Sequence, residues 1–169
     1  EMLQRNLLPE LLPRIPGMAL AARYVPASPD VEVGGDWYEV IALPDGCVGL
    51  AIGDVAGHGL GAAATMGQLR MALRAYALRD RSPATVMAGI HQLVAQVAAR
   101  EMVTLTYFVL DPESRRLTFS NAGHPPAVVV GPDGPRFLEG ALSPPLGVTM
   151  DPTFTEATHD LRAGETLLL

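Results

Sequence analysis

The sequence predicts an α+β domain in which antiparallel sheets carry helices on their outside. Three observations support this. Tight-turn signals recur between short runs of strand-forming residues, two central stretches have uninterrupted helical composition, and strand-like runs resume after those helices.

The opening residues, EMLQRNLLPELL, place Met2, Leu3, Leu7, Leu8, Leu11 and Leu12 at helical spacing, with Pro9 positioned to end or kink the helix near Leu8. Met18–Tyr24 (MALAARY) is a strand candidate closed by the turn-rich PASPD. Two strands are expected near Trp37–Leu43 and Val48–Val55, joined as a hairpin by Pro44-Asp45-Gly46. Leu60–Leu78, rich in Ala, Leu, Met and Arg, predicts a long helix preceded by glycines instead of a capping side chain. A second helix is expected from Pro83 to about Ala99, with Ser82 as N-cap and proline at the first helical position. Strands then follow at Val103–Leu110 and Arg116–Ser120 across the turn at Asp111–Ser114, and at Ala127–Val130 and Arg136–Leu138 across Pro132-Asp133-Gly134. Further strands are expected around Phe154–His159 and Glu165–Leu169.

The chain has 169 residues, enough for one domain with a substantial core. All 12 basic residues are arginine, which removes Schiff-base chemistry, a Walker-type phosphate loop and a kinase active site, since each needs a lysine. A net charge of -6 argues against nucleic acid or an anionic membrane as partner. No run approaches the roughly 20 apolar residues of a membrane span. The single cysteine, Cys47, has no disulfide partner, which suits a reducing cytoplasm, and it reads as a small buried hydrophobe. No G-x-S-x-G accompanies any serine.

Two aspartates stand out. Asp36 lies in Val33-Gly34-Gly35-Asp36-Trp37-Tyr38 and Asp54 in Gly53-Asp54-Val55-Ala56-Gly57-His58-Gly59. Counting back from the turn, the hairpin brings them roughly opposite each other at its open end. Paired carboxylates repel unless a cation lies between them. Oxygen donors of this kind suit Mg²⁺ or Mn²⁺ and not zinc. The alternative is that both are turn aspartates bonding their own backbone. Asn121 and His124, in Asn121-Ala122-Gly123-His124-Pro125-Pro126, form a second cluster after a strand. His58 sits between two glycines, while His91 and His159 have no neighbours that suggest a role.

In order and spacing, VGGDWYEV, AIGDVAGHGLGAA, TLTYFVLD, LTFSNAGHPPAVVV and PPLGV resemble the SpoIIE-like bacterial branch of the metal-dependent protein phosphatase (PPM) family, over essentially the whole chain. The resemblance implies a sandwich of two antiparallel sheets flanked by helices, with two Mn²⁺ or Mg²⁺ ions at one edge. It implies that Asp36, Asp54 and the carbonyl of Val55 are metal ligands, the two aspartates being the catalytic carboxylates. Gly34, Gly35 and Gly57 would let the backbone crowd the ions, and Asn121 and His124 would lie on the substrate side. The chemistry implied is direct hydrolysis of phosphoserine or phosphothreonine by a water activated between metals about 3.5–4 Å apart. The substrate class implied is a regulatory phosphoprotein such as an anti-sigma-factor antagonist.

By the same resemblance, residues 1–16 are a linker helix leading from an upstream sensory module, and residues 17–169 are the phosphatase domain. Leu3, Leu7, Leu8 and Leu11 are then candidates for pairing with a second copy. The family places a T-D-G motif and a further aspartate beyond GETLLL. The domain is therefore expected to be truncated at its C-terminus, and these residues alone to bind metal weakly and hydrolyse little. The other reading is a non-catalytic phosphatase-fold module that binds a partner.

Overall fold

The computed structural model describes residues 11–25, 34–98 and 101–169. Strand β1 (Gly34–Ala42) and strand β2 (Val48–His58) form the expected hairpin. Their turn, Pro44–Gly46, holds Asp45 at φ 62° and Gly46 at φ 77°, the left-handed conformation that an Asp-Gly pair tolerates. Helix α1 (Leu60–Ala77) follows with no side-chain cap, and helix α2 (Pro83–Val97) starts at Ser82, whose Oγ accepts from the Thr85 amide at 3.1 Å. Strand β3 (Val103–Asp111) and strand β4 (Arg116–Ala122) complete an antiparallel meander on β2.

The chain then crosses to a second sheet through β5 (Val128–Gly131) and β6 (Gly134–Phe137). It returns to the first in β7 (Leu142–Ser143) and β8 (Ala157–Asp160), and ends in β9 (Thr166–Leu168) on β5. The larger sheet runs β1-β2-β3-β4-β7 with β8 also on β4, and the smaller runs β6-β5-β9. Among the described residues all strand pairings are antiparallel except the short β4–β7 contact, a two-residue strand that no sequence signal marked.

Alternation along the strands separates two cores. On one face of the larger sheet, Trp37, Ile41, Ala51, Leu105 and Tyr107 pack under Met66, Leu69 and Leu73 of α1 and Val86, Ile90 and Val94 of α2. On the other face, Leu50, Phe108, Leu117 and Phe119 meet Ala127, Val129 and Leu138 of the smaller sheet's segment, which makes the two sheets a sandwich. Cys47 is buried at the hairpin's closed end, where Arg81 Nη2 donates to its Sγ.

One expectation differs from what is observed. Met18–Tyr24 forms no strand. Its alternation buries Met18 and Leu20 partly against the inter-sheet core, but among the described residues no strand pairs with it. Residues 11–16 are not helical, consistent with Pro13 and Pro16 in that stretch. The rest of the expected linker helix, with Leu3, Leu7 and Leu8, lies outside the described residues. Among the described residues no helix is long and apolar enough to cross a membrane.

Candidate metal centre

Asp36 and Asp54 are direct cross-strand partners on β1 and β2. The register is interrupted between Gly34 and Asp36, where Gly35 alone stands opposite Val55, Ala56 and Gly57, so the bulge at the open end of the hairpin lies on β2 and faces Gly35. A Cβ on Gly35 would lie 2.0 Å from the carbonyl oxygen of Val55, so only glycine lets the strands approach this closely. Gly34 pairs with His58, and Gly57 takes φ +114° where β2 leaves the sheet toward α1.

On the face that bears the aspartates, side chains line up in rows across the strands. Asp36–Asp54–Thr104 comes first, then Ile52–Thr106–Asn121, then Val40–Leu50–Phe108–Phe119, then Val48–Leu110–Leu117. The two apolar rows underlie the smaller sheet. The polar row lies at the far end, where the chain departs from β4. One strand face thus passes from sandwich core to a carboxylate-bearing edge within a few residues.

Burial pushes Asp54 above the ordinary carboxylate range, and the charge of Asp36 and a hydrogen bond between the side chains push it further the same way. His124 approaches from the β4–β5 connection and is close enough to be influenced by the charge of Asp36. Burial nevertheless outweighs that charge and lowers the imidazole's affinity for a proton. Its Nδ1 is 2.8 Å from Thr104 Oγ1, which ties the ring to the strand next to Asp54.

Asn121 is buried and uses both ends of its amide on the loop. Nδ2 donates to the His124 carbonyl and Oδ1 accepts from the His124 amide, each at 2.8 Å. Its visible role is therefore to hold His124 in place. Gly123, at φ +69°, packs so closely on Pro145 that a Cβ would lie 2.4 Å from the proline ring. Next to it, Leu146 exchanges backbone hydrogen bonds with Val103 at 2.8 and 3.3 Å. The PPLG stretch is thus a clamp holding both β3 and the His124 loop beside the carboxylates.

Thr104 and the clamp are the parts of the site that residue reasoning passed over. Thr104 was accessible by counting alternation along VTLTYFVL. The clamp was not, because Pro145 and Leu146 reach back to Gly123 and Val103, distant segments with no shared period. The remaining histidines lie elsewhere: His58 is exposed at the end of β2, His91 on α2 has its ring tilted against Phe154, and His159 lies 3.3 Å from Arg136.

The donors present, two carboxylates with the Val55 carbonyl close by, are hard oxygens of the kind Mg²⁺ and Mn²⁺ take. Mg²⁺ commonly binds through one or two carboxylates and keeps water for its other positions. Among the described residues no group of three or more His, Cys, Asp or Glu side chains is placed to hold a metal. The pair therefore fits such a cation as a partial ligand set.

Residues 44–169 match the family model for stage II sporulation protein E (SpoIIE). The chain belongs to the SpoIIE family. Curated relatives of this SpoIIE domain include the Bacillus subtilis phosphoserine phosphatase RsbP, 29% identical over 82% of the chain and 36% of that protein. Protein IcfG of Synechocystis is 27% identical over 98% of the chain and 30% of its own length. Among solved structures, the RsbU and RsbW domains of Rv1364c from Mycobacterium tuberculosis superpose with a TM-score of 0.74 at 33% identity, covering 83% of this chain and 39% of that one. The chain spans about a third of the length of these curated relatives.

Proposed function

We propose that this chain is the catalytic part of a metal-dependent phosphatase acting on phosphoserine or phosphothreonine in a regulatory protein. The observation that carries the reading is the cross-strand Asp36–Asp54 pair at the uncovered end of a SpoIIE-family sheet, with the Val55 carbonyl packed against Gly35. Relatives named as phosphoserine phosphatases support the substrate class, and an anti-sigma-factor antagonist is the phosphoprotein proposed.

In this reading Asp36, Asp54 and the Val55 carbonyl hold Mn²⁺ or Mg²⁺, two ions in the complete site. Bound divalent ions supply an activated water and neutralise charge on the phosphoryl oxygens. The chain's own residues do the rest. Gly34, Gly35 and Gly57 let the backbone close around the pair. Asn121 and Thr104 fix His124, which faces the substrate as a neutral imidazole. No lysine or activated serine is needed, since hydrolysis is direct.

In the full-length protein, release of phosphate from p-nitrophenyl phosphate should require Mn²⁺ or Mg²⁺ and fall by about a thousandfold in Asp54→Ala, the scale expected when a group central to charge stabilisation is lost. Full activity in Asp54→Ala would remove the metal assignment. One observation favours a second reading, a binding module without hydrolysis: only two carboxylates meet among the described residues. A folded full-length protein that binds its phosphoprotein but releases no phosphate with either cation would establish that reading instead.

A further inference from the structure

Next to the His124 loop lies an open cleft of about 660 Å³, lined by Gly123, His124, Pro125 and Pro126 on one side and Leu142, Ser143 and Pro144 on the other. We propose that this cleft is a specificity groove that takes an apolar side chain flanking the phosphorylated residue of the protein substrate. The inference rests on the phosphatase reading above and adds to it which substrate sequences the site prefers.

Three features point to this occupant. The first is continuity. His124 lines the cleft, yet its ring bonds Thr104, the cross-strand neighbour of Asp54, and feels the charge of Asp36. A phosphoresidue at the Asp36–Asp54 edge has to run its neighbours along the adjoining surface, and an extended chain advances about 3.3 Å per residue, so the cleft falls to the next few residues.

The second is chemistry. The lining is three prolines, a leucine, a glycine, a serine and a histidine, with no lysine, arginine or carboxylate. The phosphate itself would find no counter-charge there, whereas an aliphatic side chain would lose water against apolar walls. Leu142 is 71% exposed, a large apolar surface that the described residues leave open.

The third is rigidity. The walls are fixed from behind by the two hydrogen bonds from Asn121, by Gly123 against Pro145, and by the pairing of Asn121 and Ala122 with Leu142 and Ser143. Ser143 Oγ also donates to the Thr153 carbonyl at 3.2 Å. A groove with preformed walls binds a flexible peptide at a lower ordering cost than one that must assemble.

The test uses the full-length protein with Mn²⁺ and short phosphoserine peptides. One peptide is flanked only by glycines, and a set replaces each flanking glycine in turn by leucine. Phosphate release is measured for each, with p-nitrophenyl phosphate as a substrate that has no flanks. The expected result is at least one leucine position that raises kcat/KM about tenfold over the all-glycine peptide, the scale of burying an aliphatic side chain. Leu142→Ser should bring that ratio close to one, and Leu142→Met should retain it.

If no leucine position exceeds glycine, or if the preference survives Leu142→Ser, the groove does not read the substrate. If Leu142→Ser instead changes the sedimentation of the protein while the preference persists, the groove belongs to a second copy of the chain and the inference falls. Hydrolysis of p-nitrophenyl phosphate without any flank preference would overturn only this inference. Absence of hydrolysis from every substrate would overturn the phosphatase reading, and the groove with it.

Discussion

Gly35 shows how much of the site depends on a missing side chain. The Val55 oxygen occupies the space a Cβ would take, and that oxygen belongs to backbone, which cannot swing aside. Gly35→Ala should therefore cost about 3 kcal/mol or more, at the upper end for overpacking, and separate the Val55 carbonyl from the aspartate pair. The check is the urea midpoint at constant m-value, with Gly61→Ala as control. Gly61 has open space around its Cβ position on the first turn of α1, so alanine there should leave stability within about 1 kcal/mol of wild type. From the sequence, Gly34-Gly35 was expected to let the backbone crowd a ligand. That the crowding partner is the carbonyl of Val55 came from the register of the hairpin and its bulge, which no spacing rule specifies.

The hairpin is pinned to α1 by one buried carboxylate. Glu39, next but two along β1 from Asp36, points to the helix side and is 1% exposed. It accepts from Arg70 Nε and, at 2.6 Å, from Arg74 Nη2. The arginines lie four residues apart on α1, so one helix face presents both to the same strand. Glu39→Ala should destabilise the protein by about 3 kcal/mol, because it leaves charge facing the core interface uncompensated. Arg74→Ala should cost clearly less, since that side chain is 39% exposed and Arg70 remains. Equal losses in thermal denaturation would contradict this assignment. Helices α1 and α2 were readable from composition and from Ser82-Pro83, because caps and propensity are local. MALAARY misled for the complementary reason: alternation reports which side chains are buried, whereas a strand also needs a neighbour for its backbone.

Across the molecule, the two cores leave the aspartate edge as the place where electrostatic cost accumulates. Asp54 holds its proton more tightly when folded than its ordinary 3.8 would give. Between that value and its raised folded value the folded state binds more protons than the unfolded chain, so stability falls as pH rises through this window. The penalty is absent below this window and complete above it. In chelator, Asp54→Asn should therefore melt higher than wild type at pH 7, with the difference closing as pH approaches 3.8. Adding Mn²⁺ should raise the melting temperature of wild type and not of the variant. A wild type more stable than Asp54→Asn at pH 7 in chelator would overturn the assignment of this cost to Asp54. The α+β class, the hairpin turn, both helices and the facing of Asp36 toward Asp54 were all readable along the chain, because each follows from local dihedral preference, from periodicity, or from counting back from a turn. Tertiary structure alone decided that Asn121 serves His124, that PPLG clamps the site, and that a proline-walled cleft opens beside it. Those contacts join segments with no common period, and they form only when the crossover from β4 to the smaller sheet folds back onto β3.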